Sequence, residues 1–196
     1  MKEKNLERQI NFVIEIDKLK EVMRQSYLIS GKRKENSAEH SWHVTMMAIV
    51  LADHFAKEID LLRVLKMLLI HDIIEIDAGD TYVYDAESRK DKYLREKSAA
   101  QRIFGLLPDE QNRELCELWE EFEKRDTAES RFAATMDRIM PLLHNYHTKG
   151  KSWQEHGVTS DQVVELFKPI KTYSEEMWNF ASKIIQDSVS KGYLAR

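Results

Sequence analysis

The sequence predicts an all-α protein, a single-domain helical bundle, on three observations. Only six glycines and three prolines interrupt 196 residues, so few positions favour the turns that separate short strands. The helix formers Leu, Ile, Glu, Lys and Met are abundant. Apolar residues recur at three- and four-residue spacing through most of the chain. No Pro-, Gly- or Ser-rich linker, fixed-period repeat or low-complexity tract divides it, so one domain over residues 1–196 is expected.

A first helix is expected from Leu6 to about Tyr27, with Ile10, Val13, Ile14, Ile16, Leu19 and Met23 inward and an end near Ser30-Gly31. Ser37 reads as the N-cap of a second helix running to about Lys57, whose buried face is Val44, Met47, Ala48, Leu51 and Phe55. Asp60 caps a third helix that is apolar on all sides, the pattern of a central helix. Gly79 punctuates the chain, and residues 80–85 read as a loop. A charged helix from Ser88 to Phe104 leads to Pro108, which suits the first turn of a helix through Leu115, Leu118, Trp119 and Phe122. Thr127 caps the next helix, and Pro141 inside it should kink it. Closing helices are expected around Val163–Phe167 and Ser174–Val189, separated at Pro169.

The chemistry concentrates at the end of the third helix. Val64-Leu65-Lys66-Met67-Leu68-Leu69-Ile70 closes on His71-Asp72, and burying an unpaired imidazole and carboxylate there would cost several kcal/mol. A metal ion is the simplest compensation. Two further donors sit on apolar stripes: His40, one turn before Val44, and Asp137, bracketed by Ala133, Met136, Met140 and Leu143. His40, His71, Asp72 and Asp137 make an N2O2 set from three helices, suited to manganese, cobalt, iron or magnesium, with no thiolate to suggest a Cys-type zinc site. Glu75 falls one turn beyond His71-Asp72, beside both.

The segments Ala38-Glu39-His40-Ser41, His71-Asp72, Glu75, Gly79-Asp80 and Met136-Asp137-Arg138, in this order, resemble the HD-domain metal-dependent phosphohydrolases over about Leu19 to Leu143. The stretch from Leu107-Pro108 to Glu117-Leu118-Trp119-Glu120-Glu121-Phe122, then Thr127-Ala128-Glu129, is similar to the 5′-deoxynucleotidase-like branch, which removes phosphate from deoxynucleoside monophosphates. The resemblance implies an HD-type bundle with a metal-site core over about residues 19–143 and closing helices over about 159–190. It implies a divalent metal (Mn, Co, Mg, Fe or Zn) on His40, His71, Asp72 and Asp137, catalytic roles for Glu75 and Asp80, and phosphate contact by Arg24. Gln25 stands where some of the branch carry a tryptophan, and the loop to His40 is one residue longer. Some proteins of the superfamily bind a second ion through extra histidines. His43, His54, His144 and His147 are available for such an ion; His43 lies one turn after His40 but aligns with no ligand of this branch, and His54, His144, His147 and His156 could equally be surface residues.

The function expected is hydrolysis of the 5′-phosphate of (deoxy)nucleoside monophosphates. Hydrolysis of nucleoside triphosphates or of a cyclic or signalling nucleotide is the alternative, since Lys32, Arg33 and Lys34 could meet extra phosphate charge; a non-catalytic ligand-binding module is the second. A net charge of −4 with mixed signs and no basic stripe argues against long nucleic acid as a partner. The charged N-terminal residues and short apolar runs argue against a signal peptide or a membrane span, and the single Cys116 fits a reducing cytoplasm. The resemblance implies a homodimer, and the apolar faces of Leu115, Trp119 and Phe122 are candidates for its interface.

Overall fold

The computed structural model describes residues 2–55, 58–85, 87 and 90–196. Its helices are α1 (Lys2–Glu15), α2 (Ser37–Leu51), α3 (Leu61–Ile70), α4 (Glu75–Ala78), α5 (Lys92–Phe104), α6 (Asp109–Lys124), α7 (Ala128–His147), α8 (Lys151–Glu155), α9 (Ser160–Phe167) and α10 (Glu175–Ser190). An antiparallel hairpin, β1 (Met23–Tyr27) and β2 (Lys34–Asn36), joins them, with 3₁₀ turns at Ile16–Glu21, Ala52–His54 and Lys168–Thr172. The architecture is the helical bundle that the sequence predicts.

Three helices, α2, α3 and α7, pack on one another and bury Val44, Ala48, Val64, Leu68, Phe132 and Met136. Helix α6 closes one side through Leu118, Trp119 and Phe122, α5 lies against α6, and α10 packs on α7. The ends of the central helices are held by side chains. Asp60 accepts from the Arg63 N–H at 3.1 Å, and Thr127 shares a capping box with Ser130, as its position ahead of α7 suggested. Helix α7 continues through Pro141.

Several elements depart from the sequence reading. The expected helix over Leu6–Tyr27 is α1, a 3₁₀ turn and strand β1. Val22 turns extended and bonds back to the Leu19 carbonyl, after which β1 pairs with β2 across a turn where Gly31 has φ +68°. Nothing in Met-Arg-Gln-Ser-Tyr alternates apolar and polar, so this non-local pairing has no local signature. The inner face shifts with it: Ile10, Val13, Ile14 and Met23 are exposed, whereas Phe12 and Leu19 are buried. The cap of α2 is Asn36, whose side chain accepts from the Glu39 N–H at 2.9 Å; Ser37 is one residue inside the helix.

Helix α2 ends at Leu51, and the expected end at Lys57 lies outside the described residues, as does the expected helix start at Ser88. Helix α3 is one-sided, with Leu62 and Leu69 exposed. Trp119 and Phe122 are spent in the protein's own core and offer no subunit surface; apolar side chains are left outside on α1 and, as Trp42, Met46, Ile49 and Val50, on α2. Helix α8 was not anticipated. No helix among the described residues is long and apolar enough to cross a membrane.

The two faces of α3 give a direct check by urea denaturation. Leu68→Ala, at a fully buried position, is expected to lose about 2–5 kcal/mol. Leu62→Ala on the opposite side should stay within about 0.5 kcal/mol of the wild type. Equal losses would mean that α3 is enclosed on both faces.

Candidate metal centre

Each donor reaches the centre from a fixed position on its element. His71 follows the last residue of α3, where its N–H bonds to Met67 O at 2.9 Å. Its ring Nδ1 donates to Leu68 O at 2.9 Å, so that when the ring is neutral the lone pair sits on Nε2, the tautomer a metal ligand needs. That Nε2 is buried and has no hydrogen-bond partner. His40 is fully buried in the first turn of α2, and Asp137 projects from the middle of α7.

These groups converge. One ligand atom from each of His40, His71 and Asp72 lies within 4.8 Å of the others. Asp137 Oδ1 stands 3.0 Å from His40 Nε2 and 3.7 Å from His71 Nε2, and Asp72 Oδ1 is 3.1 Å from His71 Nε2. Two imidazoles and two carboxylates with an orphaned ring nitrogen among them are a donor set that fits a divalent cation. Burial alone would penalise the Asp137 charge, but contacts from both histidines outweigh it and hold the carboxyl well below its ordinary value. Burial also opposes the His71 charge, yet Asp72 and Asp137 prevail and lift the imidazole to about 9.

The three other expected site residues lie in the same place. Arg24, on β1, lies largely covered against the cluster, its side chain 12% exposed, and donates to Asp72 Oδ2, with Glu75 and Asp80 each 3.9 Å from its Nη1. Desolvation works against its charge, but Asp72, Glu75, Asp80 and Asp137 together raise it above the ordinary guanidinium value. Glu75 opens α4, is buried, and accepts from Ser37 Oγ at 2.7 Å. Burial first, then the Asp72 charge, pushes its carboxyl well above the usual range. Burial likewise raises Asp80, which follows Gly79 at φ +74°. Arg33 and Lys34 are engaged elsewhere, Arg33 with Glu39 and Lys34 with Gln25.

A cleft of about 350 Å³ opens on the cluster, lined among others by Arg24, His71, Asp72, Glu75, Lys92 and Arg138. An adjoining hollow of about 100 Å³ shares Arg24, Asp80, Asp137 and Arg138 and is walled by Tyr82, Tyr84 and Trp153. The cleft is within the size range of small-ligand sites.

Three residues near the centre, Lys92, Glu96 and Glu35, were missed, and the burial of a fourth, His144, was misread. Lys92 and Glu96 on α5 form an ion pair at 3.2 Å in the cleft wall, and burial lifts the Glu96 carboxyl to about 7. They lie on what the sequence shows only as a charged helix, and tertiary packing brings them here. His144, expected at the surface, is buried, whereas His54, His147 and His156 are exposed. It lies seven residues after Asp137, two turns along the same face of α7, and that spacing was the available signal. Glu35 on β2 is buried 3.3 Å from His40 Nδ1. Burial opposes its charge, but His40, His144 and Arg24 outweigh this and keep it below the ordinary carboxylate value, while burial lowers His144.

Comparison with known proteins gives the family of the chain. The HD domain family matches residues 16–178, and the chain belongs to that family. It is 32% identical over 136 residues to 5′-deoxynucleotidase HDDC2 of Bos taurus, covering 68% of this chain and 64% of that protein. The chain therefore spans just under two thirds of the length of this curated relative. It is 26% identical over 184 residues to 5′-deoxynucleotidase hdd1 of Schizosaccharomyces pombe, covering 91% of this chain and 83% of that one. A predicted metal-dependent phosphohydrolase from Magnetospirillum magnetotacticum superposes with a TM-score of 0.95 at 47% identity, covering 100% of this chain and 98% of that one.

The elevated His71 has a thermodynamic consequence. The metal-free folded state holds a proton there that the unfolded chain, with an ordinary imidazole near 6.5, has released, so the stabilisation is complete below about pH 6.5 and is lost as the pH rises through about 9. The metal-free Tm should fall across that window. A bound cation takes the proton's place, so saturating Mn²⁺ should flatten the fall. Parallel profiles with and without Mn²⁺ would show that His71 does not meet the ion.

Proposed function

We propose that the chain is a metal-dependent phosphomonoesterase that removes the 5′-phosphate of (deoxy)nucleoside monophosphates. The observation that carries this reading is the convergence of His40, His71, Asp72 and Asp137 with Arg24 at the floor of one cleft. The printed names of the bovine and fission-yeast relatives, both 5′-deoxynucleotidases, support the substrate class.

In this reading His40, His71, Asp72 and Asp137 hold the divalent ion. When bound, such an ion supplies Lewis acidity toward phosphoryl oxygens and a water of lowered pKa. Arg24, anchored by Asp72, keeps a permanent charge at the cleft floor and meets the phosphate through its planar guanidinium. Glu75 has one oxygen fixed by Ser37 and a carboxyl pushed well above its ordinary range by burial and by the Asp72 charge, a setting suited to accepting or relaying a proton. Its position one turn past the His71-Asp72 pair supports a role in accepting or relaying the proton of the attacking water. Asp80, with a raised carboxyl across Arg24 from Glu75, is then the group that protonates the leaving 5′-oxygen. Tyr82 and Tyr84 offer apolar faces to the nucleoside.

The test is phosphate release from a panel of ribo- and deoxynucleoside mono- and triphosphates by protein reloaded with Mn²⁺, Co²⁺, Mg²⁺ or Zn²⁺. Release from 5′-monophosphates is expected, lost in Asp72→Ala together with the metal. Glu75→Gln should lower kcat by about 10²- to 10⁴-fold with metal content retained. Arg24→Lys should raise KM for monophosphates more than it changes kcat. Turnover confined to triphosphates or cyclic nucleotides would overturn the substrate assignment, and metal-loaded protein that releases no phosphate at all would overturn the enzyme.

A further inference from the structure

We propose that Glu35, His43 and His144 form a second divalent-cation site, on the far side of His40 from the first. Each offers a ligand atom, and these atoms lie within 4.8 Å of one another. They come from three separate elements, β2, α2 and α7, so no local turn explains their meeting.

The independent observation is unmet bonding capacity. Glu35 is 1% exposed and His144 2%. Glu35 Oε2 and His144 Nδ1 stand 3.8 Å apart, and neither has a hydrogen-bond partner. Buried polar atoms are almost always satisfied, and a pair that point at each other without bonding leaves room for an atom between them. A cation would satisfy both. Ligands about 2.1 Å from a tetrahedral ion lie about 3.4 Å apart, so the trio closes on an ion with side-chain adjustments of roughly an ångström.

The donor chemistry limits the occupant. Two imidazoles and one carboxylate favour Zn²⁺, Co²⁺, Fe²⁺ or Mn²⁺ over the all-oxygen preferences of Ca²⁺ and Mg²⁺. His43 is only half-buried, which gives the ion a route from solvent and a side on which water completes its coordination. Arg24 Nε, 3.9 Å from Glu35 Oε2, opposes a cation here, but the Arg24 guanidinium is itself balanced by Asp72.

His40 separates the two clusters, with Nε2 toward Asp137 and Nδ1 toward Glu35 at 3.3 Å. Glu35 therefore touches a ligand of the first site while serving the second, and an ion on Glu35 steadies the His40 ring. A competing role for Glu35, orienting His40 alone, is a familiar arrangement behind metal-bound histidines. In that case His43 and His144 would take no part in metal binding.

The deciding experiment is Co²⁺ titration of the full demetallated chain, read by visible absorption and by metal analysis after desalting, so that no activity is involved and the result is separate from the nucleotidase reading. The wild type is expected to take two equivalents. His43→Ala should take one, with its fold verified by circular dichroism, and the half-buried position makes this variant the safer one beside His144→Ala. His147→Ala, at an exposed position one turn on from His144, should keep two. A wild type that binds one equivalent, or a His43→Ala protein that still binds two, overturns the second site. A His43→Ala protein that binds none overturns it as well, by assigning His43 to the first.

Discussion

The structure turns on one electrostatic constraint, that several ionisable groups share a nearly dry space between α2, α3 and α7. Two imidazoles, the carboxylates of Asp72, Glu75 and Asp137, and one guanidinium meet there. Unpaired buried charge costs several kcal/mol per group after relaxation, a large share of the net stability of a domain of this size. The groups persist because they compensate one another. Arg24 ties down Asp72, His40 and His71 bracket Asp137, and Ser37 satisfies Glu75. The orphaned Nε2 of His71 marks where protein partners run out, and a cation there would complete the balance.

The surrounding fold serves that balance. The capping box at Asn36 starts α2 where His40 falls in its first turn, and the one at Thr127 sets the start of α7, on which Asp137 sits. The apolar packing of Val44, Val64, Leu68, Phe132 and Met136 keeps the three helices in register behind the polar cluster. The hairpin has a different task. It brings in two charged side chains, Arg24 on β1 and Glu35 on β2, which lie 3.9 Å apart, with Glu35 also 3.3 Å from His40 Nδ1.

This division explains what could be read in the chain. Asp60, Thr127 and the His71-Asp72 pair announced themselves because their signals are local: a capping residue ahead of an apolar stripe, and charge at the end of a greasy run. His40 and Asp137 followed from the same logic of polar residues on buried stripes. The hairpin did not, since its pairing is between segments with no alternation to show, and the apolar residues of α1 suggested an inner face that the bundle leaves exposed. His144 was legible only through its seven-residue spacing from Asp137, and Glu35 carried no periodic signal. The misread residues share a cause: their partners lie across the fold, where neither propensity nor spacing reports them.

A cation is proposed to complete the cluster of His40, His71, Asp72 and Asp137. An anomalous-difference map from crystals equilibrated with Mn²⁺ tests it most directly. It should place a peak about 2.0–2.3 Å from His40 Nε2, His71 Nε2 and an oxygen of each aspartate. A map with no peak among these four side chains at saturating Mn²⁺, and with the imidazoles still bracketing Asp137, would contradict it.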